Sequence, residues 1–255
     1  MTNQSLHGKV AVVTGAGDPG GIGASLALAL GRAGASVMIG DINVDGAATV
    51  AASLRSEGIT VSHSALDISK EDSVEPFFDG TVRSLGMPEI LVNNAGLLAQ
   101  LSWGVDLIDY PLDEWRKVLD VNLTGTLLCC RAAARRMRDQ KRKGRIINIS
   151  SGGAFQLTSP YSISKLAIVG MTVLLADQLG KHGINVNSIA PGQIPTPAAM
   201  KIVPPGSPGT QRFGGTTRIG SPADLHGALL LLASDAGDWI TGQTLNVDGG
   251  WIKRI

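Results

Sequence analysis

Short, continuously apolar runs alternate along the chain with longer segments whose apolar residues recur every three to four positions. The runs occupy residues 9–14, 36–41, 60–66, 89–93, 145–151, 185–189 and 244–247, and stretches such as Val10-Ala-Val-Val and Ile90-Leu-Val contain no polar position. Strands apolar on both sides are covered on both faces, as in a parallel sheet between two helical layers. The helical segments fall between them at 21–33, 44–57, 70–85, 112–139, 159–181 and 222–234. Strand, crossover helix and next strand, repeated, predict an α/β protein with a doubly wound parallel sheet of seven strands in three layers, α/β/α.

One segment breaks the pattern. Residues 191–221 hold prolines at 191, 195, 197, 204, 205 and 208. A long irregular stretch directly after a strand reads as a binding loop, so this one is expected to close over a substrate. No repeat or compositional shift divides the rest, and 255 residues suit a single domain spanning 1–255.

The formal net charge is +1 and charged residues make up 17%, which points to neither a nucleic acid nor an acidic membrane surface as partner. Eight Lys or Arg crowd residues 131–145, and the reading preferred here is cations complementing a helix C-terminus. Cys129 and Cys130 are adjacent in a helical segment, point in different directions and read as small buried residues of a reducing compartment. The longest nearly apolar stretch, 166–176, is too short to cross a bilayer and the first residues lack an apolar leader core, so a cytoplasmic location is expected. His7, His63, His182 and His226 are scattered without metal-ligand spacing, and no metal is assigned.

Chemistry concentrates at two places. Lys9-Val-Ala-Val-Val-Thr14 runs into Gly15-Ala-Gly-Asp-Pro-Gly-Gly-Ile-Gly23 and then into a helical segment. A strand, a glycine-rich turn and a helix let backbone amides approach a pyrophosphate at a helix N-terminus. The second strand ends at Asp41, eighteen residues beyond Gly23, where a carboxylate accepts hydrogen bonds from a ribose diol and repels a 2′-phosphate. Asp18 stands in the loop and Ile42 follows Asp41, with no cation beside either, so NAD is expected over NADP.

The second place is Tyr161 and Lys165, four residues apart in a helical segment ten residues after Ser150-Ser151. Positions i and i+4 share a helix face, so the lysine cation can favour the phenolate and make the tyrosine a proton carrier.

Taken together, these residues resemble the short-chain dehydrogenase/reductase family. The shared motifs run in order through Thr14-Gly15, Gly21-Ile-Gly23, Asp67-Ile68, Asn93-Asn-Ala-Gly96, Asn122, Ser151, Tyr161-x-x-x-Lys165, Pro191-Gly192 with Thr196, and Asp248-Gly-Gly. The resemblance implies a Rossmann domain and assigns catalytic roles to Asn122, Ser151, Tyr161 and Lys165. Tyr161 would exchange a proton with the substrate oxygen that Ser151 holds, while Lys165 binds the nicotinamide ribose and Asn122 holds a water in a proton relay. Cofactor binding would fall to Gly15, Gly21, Ile22, Gly23, Asp41, Asp67, Ile68, Asn94, Ala95, Gly96, Tyr161, Lys165, Pro191, Gly192, Ile194 and Thr196. Related enzymes are commonly homotetramers, paired here through the helices at 112–139 and 159–181 and through the C-terminal strand region. Asp18-Pro19 departs from the family's turn as a two-residue insertion, which should bulge near the phosphates and leave the amides of residues 21–23 in place. Ser151 is preferred to Ser150 because it lies three residues beyond Asn148.

The expected function is therefore NAD(H)-dependent interconversion of a secondary alcohol and a ketone. The alternatives are an NADPH-dependent 3-oxoacyl or carbonyl reductase, and a protein that binds NAD without turnover. Trp103, Gln156, Met200, Ile202, Val203 and Phe213 are candidates for the substrate pocket, and Lys201 and Arg212 leave room for an acidic substrate group.

Overall fold

The computed structural model describes residues 6–98, 101–202 and 218–253. The strands are β1 (Val10–Thr14), β2 (Ser36–Asp41), β3 (Val61–Ala65), β4 (Ile90–Asn93), β5 (Gly144–Ile149), β6 (Ile184–Pro191) and β7 (Thr244–Val247). They pair in parallel in the order β3-β2-β1-β4-β5-β6-β7, so the winding reverses between β1 and β4. Ligands bind at that reversal, outside the carboxyl ends of the strands.

Helices cover both faces. The α1 (Ile22–Arg32), α2 (Val44–Ser56) and α8 (His226–Ala233) helices lie on one side, with α3 (Glu71–Leu85), α5 (Thr126–Asp139) and α6 (Pro160–Gly180) on the other. Adjacent strand residues feed opposite cores: Val13, Ile39, Val92 and Ile147 join the first, and Val12, Met38, Leu91 and Ile146 the second. In β1 and β4 this burial on both faces is why the run reads as nearly unbroken apolar sequence. Truncating a fully buried residue such as Leu91 to alanine costs about 2–5 kcal/mol.

A buried polar thread ties the second layer to the sheet. Asn93 Nδ2 donates to Asn148 Oδ1 at 2.9 Å, and Asn148 Nδ2 donates to Thr172 Oγ1 of α6 at 3.0 Å. Geometry this restrictive, in a core otherwise apolar, fixes the register of α6 against β4 and β5. Cys129 and Cys130 are free and buried in the same layer, where burial raises both thiol pKa values.

The structure differs from the periodicity in one element. Residues 112–139 form not one helix but α4 (Leu112–Leu119), a π-helical turn over Asp120–Gly125, and α5. A Cβ at Gly125 would lie 2.8 Å from Ile68 Cγ1, so the backbone there packs directly on the segment after β3. The turn swells where that packing and Asn122 must both be served, and such bulges gather at functional sites. The irregular segment after β6 contains the short helix α7 (Pro197–Met200), while Val203, Arg212 and Phe213 lie outside the described residues.

By length and composition α6, at 21 residues, would also pass as a membrane-crossing helix, which reading 166–176 alone did not anticipate. In this fold it packs along β6 and turns Ser164, Lys165 and Thr172 inward.

Candidate active site

A cleft of about 1150 Å³ opens along the carboxyl ends of the strands. All of the site residues expected from the sequence line it except Gly23 and Asn122, which lie buried beneath its wall.

At one end the glycine loop is held by the two neighbouring strands. Gly15 has φ +67°, and a Cβ there would lie 2.5 Å from Ala95 Cα, so both its conformation and its closeness to the segment after β4 demand glycine. Asn94 secures that contact by donating through Nδ2 to the carbonyl oxygens of Thr14 at 3.1 Å and Gly15 at 2.7 Å. Its amide group therefore shapes the loop. The Asp18-Pro19 insertion closes into its own turn, with Gly20 N donating to Asp18 Oδ1 at 3.0 Å and Gly21 N to Asp18 O at 2.9 Å. Gly23 stays where the sequence places it, tight enough that a Cβ would come 2.3 Å from Gly15 O.

Asp41 receives the loop. Its Oδ2 accepts from Gly17 N at 2.7 Å and its Oδ1 from Asn43 N at 2.8 Å. Each carboxylate oxygen keeps a lone pair for a further donor. Nearby, Asp67 accepts from Ser69 Oγ at 2.6 Å, and this bond first of all holds its carboxyl below the usual range. Gly15 and Gly23 leave no room for side chains, and the N-cap of α1, Gly21, offers no side-chain cap to the first helical amides. This cradle, facing a carboxylate rather than a cation, fits the diphosphate and the adenosine ribose of a dinucleotide.

At the other end, Ser159 caps α6 by accepting from Ser162 N at 3.3 Å, and Pro160 occupies the first turn. That start places Tyr161 at the helix mouth and Lys165 one turn deeper. Lys165 Nζ lies 5.7 Å from the Tyr161 ring centroid and donates to Ile149 O at 2.8 Å. Burial pushes the Tyr161 phenol up to about 12, with a hydrogen bond to Ser151 pulling the other way. Burial also brings Lys165 down to about 8. Desolvation thus outweighs the lysine's attraction for a phenolate in this state.

Asn122 binds the walls together. It accepts from Leu97 N at 2.6 Å and donates to Leu97 O at 3.2 Å and Ser164 Oγ at 3.0 Å. A Cβ on Gly96 would sit 3.3 Å from Asn122 Oδ1 and 3.4 Å from Lys165 Nζ, so the two side chains meet behind that glycine. Thr196 spends its hydroxyl on capping α7, accepting from Ala199 N at 3.2 Å. Gly192 is pressed against β7, where a Cβ would lie 2.6 Å from Asp248 Cα.

Comparison with known proteins decides what this arrangement belongs to. A family model described as enoyl-(acyl carrier protein) reductase matches residues 15–252, and an oxidoreductase of Mycobacterium tuberculosis without assigned function is 41% identical over 96% of this chain and 98% of its own. The chain belongs to the short-chain dehydrogenase/reductase family. Among other members, the 2-dehydro-3-deoxy-D-gluconate 5-dehydrogenase of Escherichia coli is 34% identical over 98% of both chains. A gluconate 5-dehydrogenase from Burkholderia cenocepacia, solved with NADP and tartrate, superposes with a TM-score of 0.89 at 32% identity, covering 100% of this chain and 99% of its own. Membership makes the chain an oxidoreductase of a family that binds a nicotinamide cofactor.

Within this short-chain dehydrogenase/reductase the sequence reading missed Trp251. It lines the cleft beside Ser151, and a Cβ on Gly152 would come 2.9 Å from its Cε3. No periodicity marks a lone aromatic three residues past Asp248. Ser164 was also missed, because its contact with Asn122 spans 42 residues of sequence.

Proposed function

We propose that the chain is an NAD(H)-dependent oxidoreductase that interconverts a secondary alcohol and a ketone. The meeting of Ser151, Tyr161 and Lys165 at one end of a cleft that also holds Asp41 carries this reading. A bound nicotinamide dinucleotide supplies the hydride donor or acceptor. Tyr161 gives a proton to the substrate oxygen in one direction and takes it in the other, and Ser151 Oγ holds that oxygen. Lys165, protonated below about pH 8, favours the phenolate when the alcohol must lose its proton. Asn122 keeps Leu97 and the first turns of α6 in register around the phenol and supports the proton relay.

NAD is favoured over NADP by Asp18 and Asp41 on the cleft wall, with Ile42 exposed beside them. A 2′-phosphate there would meet carboxylates without a compensating cation. The second reading, an NADPH-dependent carbonyl reductase, draws on the Burkholderia cenocepacia relative solved with NADP. Fluorescence titration with NADH and NADPH, followed by oxidation assays of secondary alcohols with NAD and NADP, separates the two. Tight nucleotide binding with no turnover of any alcohol or ketone would instead favour a non-catalytic binding protein.

The proposal includes a homotetramer working in the cytoplasm. Leu112, Leu127, Leu166, Val173 and Leu174 are exposed on α4, α5 and α6, and open space surrounds Gly170, which supports pairing through these helices. Light scattering tests it, and a monomer would contradict it.

A further inference from the structure

We propose that Trp103 and Trp251 are the two walls of a subsite for an apolar, ring-sized substituent on the secondary alcohol, and that Glu114 is the positioning residue that holds the first wall. This rests on the oxidoreductase reading above and narrows its substrate.

Trp103 lies in the loop after β4, where residues 101–106 form neither helix nor strand to hold it over the cleft. One carboxylate does so. Glu114, in the first turn of α4, accepts from Ser102 N at 2.9 Å, from Ser102 Oγ at 2.8 Å and from the hydroxyl of buried Tyr110 at 3.1 Å. The two Ser102 bonds hold the Glu114 carboxyl below the usual range. Charge-assisted bonds from adjacent backbone and side-chain donors fix both position and direction of the residue that follows.

That residue is Trp103. Its ring centroid lies 6.4 Å from that of Tyr161 at an interplanar angle of 55°, and the side chain is 41% exposed toward the cleft. Trp251 lines the same cleft and lies against Gly152, the residue after Ser151. Leu97, Met200 and Ile202 add apolar lining and Gln156 a neutral polar group. Two indoles lining the cleft, one 6.4 Å from the Tyr161 ring and one against the residue after Ser151, favour a flat or cyclic apolar substituent.

Among the described residues, the cations lining the cleft are Arg116, Lys117 and Lys165. Lys165 is committed to Ile149 O, and Lys117 acts electrostatically on the Glu114 carboxylate three residues before it. Lys201 is exposed and is not part of the lining.

The test compares kcat/KM for 1-phenylethanol, cyclohexanol, 2-butanol and gluconate with the better nicotinamide cofactor at saturation. The expected result is that both ring alcohols exceed 2-butanol and gluconate by at least ~10-fold, the discrimination an apolar pocket gives for added carbon. Trp103→Ala should lower the ring-to-butanol ratio by a similar factor, mainly through KM, and Trp103→Phe should restore most of it. Glu114→Ala should lower the ratio in the same way, and Glu114→Gln, which retains one acceptor oxygen, should fall between; should Glu114→Ala not fold, Glu114→Gln and Ser102→Ala carry the comparison. Gluconate preferred over the ring alcohols, or a ratio unmoved by Trp103→Ala and Glu114→Gln, overturns the subsite and leaves the oxidoreductase intact. No turnover of any alcohol with either cofactor overturns both.

Discussion

Ser150 donates its hydroxyl proton to the carbonyl oxygen of Lys165 at 2.8 Å, deep in the joint between β5 and α6. Of two adjacent serines, that leaves Ser151 hydrogen-bonded to Tyr161 and facing the cleft. The neighbours should therefore separate by assay. Ser151→Ala should lower kcat by ~100-fold or more, as expected when a group holding the reacting oxygen is lost, with a small drop in melting temperature because its Oγ also accepts from Gly153 N at 3.1 Å. Ser150→Ala should reduce stability by about 1 kcal/mol, the loss of one buried hydrogen bond. Thermal melts and steady-state kinetics on both variants decide it, and the reverse pattern would move the catalytic assignment to Ser150.

Lys165 and Tyr161 together shape the pH dependence. Burial lowers the lysine from its ordinary 10.5 to about 8, so between those values the unfolded chain binds more protons than the folded one. Stability should therefore rise with pH across that window. The phenol is raised from 10 to about 12, where the folded chain binds more protons, so its contribution falls as pH rises above 10. Denaturant melts of the cofactor-free protein should show the rise above pH 8, and Lys165→Met should abolish it.

The same pair sets the rate profile. A phenol that keeps its proton through the neutral range is ready for ketone reduction, and alcohol oxidation needs it deprotonated. Oxidation should speed up with pH, and Lys165→Met should shift the rise to higher pH by removing the cation. Tyr161→Phe should cost ~10²–10⁴-fold in kcat in both directions. A profile that is flat in wild type would contradict the role of the phenol.

Asp41 should govern cofactor choice. Replacing it with serine while changing Ile42→Arg removes two charge-assisted acceptors and supplies a partner for a 2′-phosphate. Hydrogen bonds to charged groups contribute about 1.5–3 kcal/mol each, so the NAD-to-NADP ratio of kcat/KM should fall by at least ~10-fold. Because Gly17 N also relies on Asp41 Oδ2, the melting temperature should drop as well.

Gly23 is a steric test of the loop. Gly23→Ala would place a methyl 2.3 Å from Gly15 O and 2.6 Å from Asn94 Nδ2. Overpacking of this kind costs about 1–3 kcal/mol, and the displaced loop should lose NADH binding in a fluorescence titration. Gly227→Ala, with open space around it in α8, should leave NADH binding as it is.

The central strands β1, β2 and β4 could be read from the chain because they are covered on both faces and so form short, nearly continuous apolar runs, while the edge strands β3 and β7, half-buried, mix polar and apolar residues and were legible by their place in the repeat. The glycine loop, Asp41 and the Tyr161–Lys165 spacing were equally legible, since each is a local arrangement whose chemistry depends on neighbours a turn or a strand away. What the sequence by itself determined is thus the order of the elements and the identity of the chemical groups. Only the tertiary structure decided how those groups are spent: that Asn94 holds the glycine loop, that Asn122 sits in a π-helical turn bonding Leu97 and Ser164, that Ser150 serves α6, and that Trp251 lies against Gly152. Each depends on a contact between segments far apart in the chain. Such contacts exist only once the sheet is assembled, because its register, not the local pattern, brings the carboxyl ends of β1, β4, β5 and β6 to one edge.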